Sequence, residues 1–210
     1  MPLRALPVVF AALVGLCGCL GRLTSAPPPT YYEIEFPTQK AGCGTAPGKG
    51  LRVWAFSAPA PFNREEMIVL ETGREVRLSN LYRWVAAPGS MVADKLIRDL
   101  SLSGLFEKVV SAGDPFHASL ELGGQVFKFA WERQGSSGRA VLDVEVSLWA
   151  ETPQRDILFR EHYHLESEPE PEGGSEVFAR AMSELVARLS AQVQQDLCTK
   201  LKDSSSPAAG

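Results

Sequence analysis

Leu142, Val144, Val146 and Leu148 alternate with Asp143, Glu145 and Ser147. That period of two is the signature of a strand with one face buried and one face wet. The stretches on either side, FHASLELGGQVFKFAWER and RDILFREHYHLESE, read as two further long strands. Only QGSSG and TPQ separate the three, and connections that short imply antiparallel pairing. Gly123-Gly124 interrupts the first of them and predicts a bulge or bend. Upstream, YYEIEF (31–36) ends at Pro37 and LRVWAFSA (51–58) follows a glycine-rich loop, giving two more strands. MIVLE and REVRLS flank Thr72-Gly73 as a hairpin, and LFEKVVS (105–111) is a short strand.

Two segments change period. PGSMVADKLIRDLSLSG (88–104) places Val92, Leu96 and Leu100 on one helical stripe, with Lys95 and Asp99 off it. Pro88 suits the first turn, and Gly104 can close the end. Ser175 to Leu201 forms a longer amphipathic helix with Ser175 as N-cap. Phe178, Met182, Leu185, Leu189, Val193 and Leu197 line its sheet-facing side. The fold class expected is α+β: a mixed or largely antiparallel sheet with two amphipathic helices packed on one face. One such domain would occupy 31–202, with a frayed tail at 203–210.

The N-terminus follows a different pattern. Arg4 precedes an apolar run from Ala5 to Leu16, shorter than the roughly 20 residues of a membrane-spanning helix. A charged start, a short apolar core and small residues after it describe an export signal over 1–18. Its end, Leu16-Cys17-Gly18-Cys19, resembles a bacterial lipobox. The resemblance implies a covalent lipid on Cys19, and several acyl chains on one residue give stable anchoring. Leu20 rather than Asp follows the cysteine, which by the same resemblance implies sorting to the outer membrane of a Gram-negative cell, facing the periplasm. Residues 19–30, with three consecutive prolines, then form an extended tether. The remaining cysteines, Cys43 and Cys198, would meet an oxidising compartment. They form either a disulfide across a long loop or two separate thiols.

Composition excludes more than it assigns. Among 210 residues 22% are charged, and the net charge of −4 is spread along the chain without a basic stripe, which argues against nucleic acid. GCGTAPGKG fails the phosphate-loop spacing, because Cys43 stands where glycine is needed and Gly50 follows Lys49. His162 and His164 share one face of a strand and could hold a metal, but His117 is the only other histidine. Trp54, Trp84, Trp131 and Trp149 could stack on a sugar; in a sheet protein packing is the commoner use. No nucleophile elbow or acid–base pair is present, so no catalytic residue, metal or cofactor is expected.

From Tyr31-Tyr32-Glu33-Ile34 through PFNREEMIV (61–69), Tyr82-Arg83-Trp84 and VADKLIRDL, the mature chain resembles the ABC-type transport auxiliary lipoproteins, the PqiC-like family. Val85-Ala86-Ala87 departs from the family's usual continuation after the tryptophan, as does the Cys43 loop. The resemblance implies a non-enzymatic, lipid-anchored subunit of a lipid-transport system. By the same resemblance it would dock a periplasm-spanning MCE-domain protein at the outer membrane, and it could self-associate into a homo-oligomeric ring, as modules of the family can. Tyr31, Tyr32, Arg64, Arg83 and Trp84 are then the candidate partner contacts, with core packing the competing role for Trp84. Two other readings stand beside it: an outer-membrane assembly lipoprotein binding a barrel or the cell wall, and a periplasmic hydrolase or metal protein using His162 and His164.

Overall fold

A computed structural model describes residues 27–40, 49–72, 75–171 and 173–205. The expected export leader, the expected lipid-attachment position Cys19, most of the expected tether and the Cys43 loop lie outside the described residues. The strands are β1 (Thr30–Tyr32), β2 (Gly50–Val53), β3 (Glu66–Glu71), β4 (Glu75–Trp84), β5 (Lys108–Ser111), β6 (Leu120–Gln134), β7 (Ser137–Ala150), β8 (Ile157–Glu166) and β9 (Glu170–Pro171). The helices are α1 (Pro88–Ser103), between β4 and β5, and α2 (Gly174–Ser205), after β9. The class is α+β, as the pattern predicts. Both helices contact the sheet and each other.

The sheet is mixed, and β6 is its spine. One edge of β6 pairs antiparallel with β7 from Leu120↔Ala150 to Gln134↔Ser137. The turn between them is two residues long and begins at Gly135 with φ 63°, a left-handed position suited to glycine. β8 and β9 pair antiparallel with the other edge of β7. The second edge of β6 is divided. β2 lies parallel to Leu120–Leu122, and β5 lies parallel beyond β2. β3 lies parallel to Trp131–Glu132, β4 pairs antiparallel with β3, and β1 lies parallel beyond β4. The long ladders are antiparallel, while this divided edge is built by short parallel pairings.

The first strand is shorter than expected: only Thr30–Tyr32 joins a ladder, although Ile34 beyond it is fully buried. Gly123-Gly124 does not bulge. The register shift falls between Val126 and Lys128, and it leaves Phe127 exposed between buried Val126 and Phe129. Glycine at 124 serves close approach instead, since a Cβ there would lie 2.0 Å from the Glu145 carbonyl oxygen and 2.8 Å from the Phe56 ring. α1 ends as predicted, on Gly104 at φ 76°. α2 starts at Gly174, one residue ahead of the expected cap, and the Ser175 hydroxyl bonds Tyr32.

Asp99 departs from its predicted place. It is fully buried, held by the Arg98 guanidinium at 2.8 Å and by the Ser190 hydroxyl of α2 at 2.6 Å. Gln194, one turn further along α2, donates to the Ser190 and Gln39 carbonyls, each at 3.2 Å. Arg98 donates to the Phe36 carbonyl at 3.1 Å. A buried carboxylate is tolerated because charged and polar partners replace its water. The result ties both helices to the segment after β1.

Candidate partner-contact surface

β1 lies along the last three residues of β4, with Tyr31 opposite Arg83 and Tyr32 opposite Trp84. Alternation therefore sends the two tyrosines to different surroundings. Tyr31 is 52% exposed. Tyr32 is half-buried; its phenol and the Ser175 hydroxyl share a hydrogen bond of 2.9 Å. Its ring meets Tyr82 edge-on at 6.3 Å.

β4 makes the rest of the surface. It pairs with β3 from Glu75 to Leu78 and resumes only at Arg83, opposite Glu66. The interval bulges outward. The Ser79 hydroxyl accepts from the Leu81 amide at 3.2 Å and from the Tyr82 amide at 2.9 Å, giving the freed backbone a local partner. Leu81 and Tyr82 are exposed as a result, and so are Val76, Leu78 and, just past the strand, Val85. Among the described strands none pairs with the outer edge of β4 from Glu75 to Leu81. An open strand edge carrying apolar side chains is a natural place for another chain to add.

Ion pairs frame this edge. Arg77 meets Glu75 at 2.9 Å and Glu71 at 3.7 Å, and the hydrogen bond and charge of Glu75, then the charge of Glu71, raise its pKa above the ordinary arginine value. Arg133 meets Glu71 at 2.8 Å. Arg83 meets Glu66 at 3.6 Å while its Nε is buried without a hydrogen-bond acceptor. Arg64 is exposed on the connection leading into β3. Between this edge and the start of α2 lies a cavity of about 280 Å³, lined by Met67, Val69, Tyr82, Trp131 and Phe178 among others.

Of the five sequence candidates, Tyr31, Arg64 and Arg83 reach the surface and Tyr32 sits at its margin. Trp84 does not. It is 1% exposed, with Phe129 and Phe178 packed edge-on at 5.2 and 5.3 Å, so it is a core residue and offers a partner nothing. Sequence alone does not single out Val76, Leu78, Leu81 or Tyr82. The alternation VRLS looks the same whether or not a layer covers it.

The two strand histidines do share a face, with a carboxylate between them. Asp143 on β7 meets His162 Nε2 at 2.5 Å and His164 Nδ1 at 3.1 Å, and Glu166 meets His164 Nε2 at 3.2 Å. Hydrogen bonds to Asp143 and then Glu166 raise the His164 pKa above the ordinary histidine value. Among the described residues no group of three or more His, Cys, Asp or Glu side chains is arranged to hold a metal. On the other side of β8, buried Tyr163 donates to Asp196 of α2 at 2.7 Å; burial first, then Asp196, drive its pKa up. Cys198 is buried and disulfide-bonded, with its partner outside the described residues.

The architecture has known counterparts. A crystal structure of the Xanthomonas campestris protein XCC0632 matches with a TM-score of 0.73 at 17% identity, over 84% of this chain and 100% of that one. A crystal structure of an uncharacterised protein matches with a TM-score of 0.59 at 18% identity, over 83% of this chain and 99% of that one. At these identities the likeness concerns the fold alone. No curated protein matches the chain. Among the described residues no helix is long and apolar enough to cross a membrane. The model of the ABC-type transport auxiliary lipoprotein component family matches residues 32–194, from the second tyrosine of β1 well into α2, and the chain belongs to that family.

Proposed function

We propose that this protein is the lipid-anchored auxiliary subunit of an intermembrane lipid-transport system. It docks a periplasm-spanning MCE-domain protein at the outer membrane and catalyses nothing itself. The observation that carries the reading is the apolar edge of β4, which no described strand pairs and which lies directly beside β1. An anchored module that presents an unpaired strand edge at its anchored end suits docking by strand addition. Cys19 bears the lipid, residues 19–30 form the tether, and Cys43 is the disulfide partner of Cys198. The leader and anchor account for the other two cysteines. Copies of the chain in a ring would multiply weak edge contacts at one membrane site.

The test is a photo-crosslinking amino acid placed at Leu81 of the native lipoprotein, with adducts from intact cells read by mass spectrometry. An adduct with an MCE-domain protein is expected. Adducts only with a β-barrel or with the cell wall would overturn the docking role in favour of an outer-membrane assembly lipoprotein. The same crosslinker at exposed Leu102, which lies on α1 away from β4, controls for random encounter.

A further inference from the structure

The four tryptophans divide into two pairs. Trp84 and Trp131 are core residues, 1% and 5% exposed. Trp54 stays 41% exposed and Trp149 half-buried, at the β2 end of β6 and β7. They belong to the wetter row of this sheet. Leu120 and Leu122 of β6 and Val146 and Leu148 of β7 point into the core, whereas Glu121, Gly123 and Trp149 alternate with them.

This corner is built rather than incidental. The Trp54 amide donates to the Leu122 carbonyl at 2.8 Å, which fixes its backbone beside Gly123. A Cβ on Gly123 would lie 3.3 Å from the Trp149 ring and 3.5 Å from the Trp54 Cβ, so glycine keeps the gap between the two side chains open. The cleft there has a volume of about 300 Å³, and Ser57 contributes a hydroxyl to its lining. Arg155 completes it from a left-handed backbone conformation, φ 52°, uncommon outside glycine. Its guanidinium lies 5.7 Å from the Trp149 ring centre and donates to Glu121 at 2.6 Å.

The ligand must match two chemistries at once. Indole surfaces favour an apolar face laid against them. Arg155, with Glu121 bonded behind it, offers guanidinium donors at the rim, and the Ser57 hydroxyl, which donates to the Gly124 carbonyl, can accept there. An acyl chain would satisfy the indoles and leave the rim facing hydrocarbon, at a desolvation cost. A pyranose ring has C–H bonds on its faces and hydroxyls around its edge. We propose that the Trp54–Trp149 cleft binds a pyranose ring of an oligosaccharide. The site lies at the opposite end of β6 from β3 and β4, and it is independent of the docking role.

The test uses the full-length lipoprotein in detergent micelles, titrated with N-acetylglucosamine tetramer, with maltotetraose and with a proline decapeptide. Binding is read by calorimetry and by saturation-transfer NMR. Saturable binding of at least one oligosaccharide is expected. Trp54→Ala should weaken it by about tenfold or more, the scale of one lost stacking contact. Arg155→Gly should weaken it severalfold while keeping the backbone conformation, since glycine accepts that φ. An unchanged thermal midpoint establishes folding; if Trp54→Ala lowers it, Arg155→Gly carries the test. No sugar binding up to about 10 mM, binding of the peptide alone, or sugar binding unchanged in both variants would overturn the proposal.

Discussion

β4 and β7 are both long strands that alternate apolar with polar residues, yet they end up in opposite states. In β7 the even positions from Leu142 to Leu148 are fully buried. In β4, Val76 and Leu78 occupy the same phase relative to Arg77 and Ser79 and remain 48% and 38% exposed. Local sequence does not make the difference. β7 has a paired strand on both edges, and α2 packs on it. Among the described residues β4 has β3 on one edge, and the three-residue β1 on the last part of the other. Alternation states that a strand has one apolar face; it does not state that the same chain covers it. Among the described residues nothing covers this apolar face, and an exposed apolar patch on a strand edge is the kind of surface that marks an interaction site.

The largest effect separates the last residue of β4 from the rest of it. Trp84→Ala empties the space between Phe129 and Phe178 and should destabilise by about 3–5 kcal/mol in chemical denaturation, the range for a large buried aromatic. A loss below about 1 kcal/mol would mean that Trp84 is no core residue. Asp99→Ala comes next. It leaves the Arg98 guanidinium and Ser190 without their shared acceptor beneath the helices, for about 3 kcal/mol. Asp99→Asn keeps the shape and should recover part of that loss. Equal effects of the two changes would show that charge, not packing, is what the site requires.

On the exposed part of β4 the same comparison predicts the reverse pattern. Leu81→Asp should change stability by far less than Trp84→Ala, no more than about 1 kcal/mol, because its side chain already reaches water at the edge. If the edge docks a partner, that substitution should nonetheless sharply reduce crosslinked capture at a neighbouring position such as Val76. A variant that loses stability as well as capture would merge the two regions and remove the argument for a separate contact surface.

Much of this contrast is legible in the sequence. Pro88 and Gly104 bound α1, the apolar stripe locates α2, and alternation finds β7 with its buried row. Three features are not legible, for definite reasons. Asp99 has the spacing of a solvent-facing residue, and the partner that buries it, Ser190, lies on the other helix. The bulge at Ser79–Tyr82 carries no glycine or proline; its turn formers are Ser79 and Asn80, a weak signal inside an alternating strand, and the Ser79 hydroxyl holds the freed amides. The divided edge of β6 depends on β2 and β3 sharing one long strand, which no local pattern encodes. Trp84 reads as a candidate contact because it follows Tyr82 and Arg83, and strand alternation places it inward. Trp54 and Trp149 look like Trp84 and Trp131 in sequence, and only their place in the sheet divides them.

The smallest expected effect lies on the wet face of the β7–β8 pair and tests whether charge there is more than decoration. His164 sits between Asp143 and Glu166, which favour its protonated form, so its folded pKa lies above its unfolded value of 6.5. A group raised in this way binds its proton more tightly when folded. Its stabilising contribution is therefore complete below the unfolded value and disappears as pH rises through the folded one. His162 shares Asp143, so the comparison must be made within one background. The difference in melting midpoint between the parent and His164→Gln should be greatest near pH 5 and should shrink steadily above about pH 7. Solvent screens this exposed cluster, so the difference stays small, far below that of Trp84→Ala. A midpoint difference that stays constant across that range would mean that His164 contributes only its ring, and that the ion pairs on this face carry no stability.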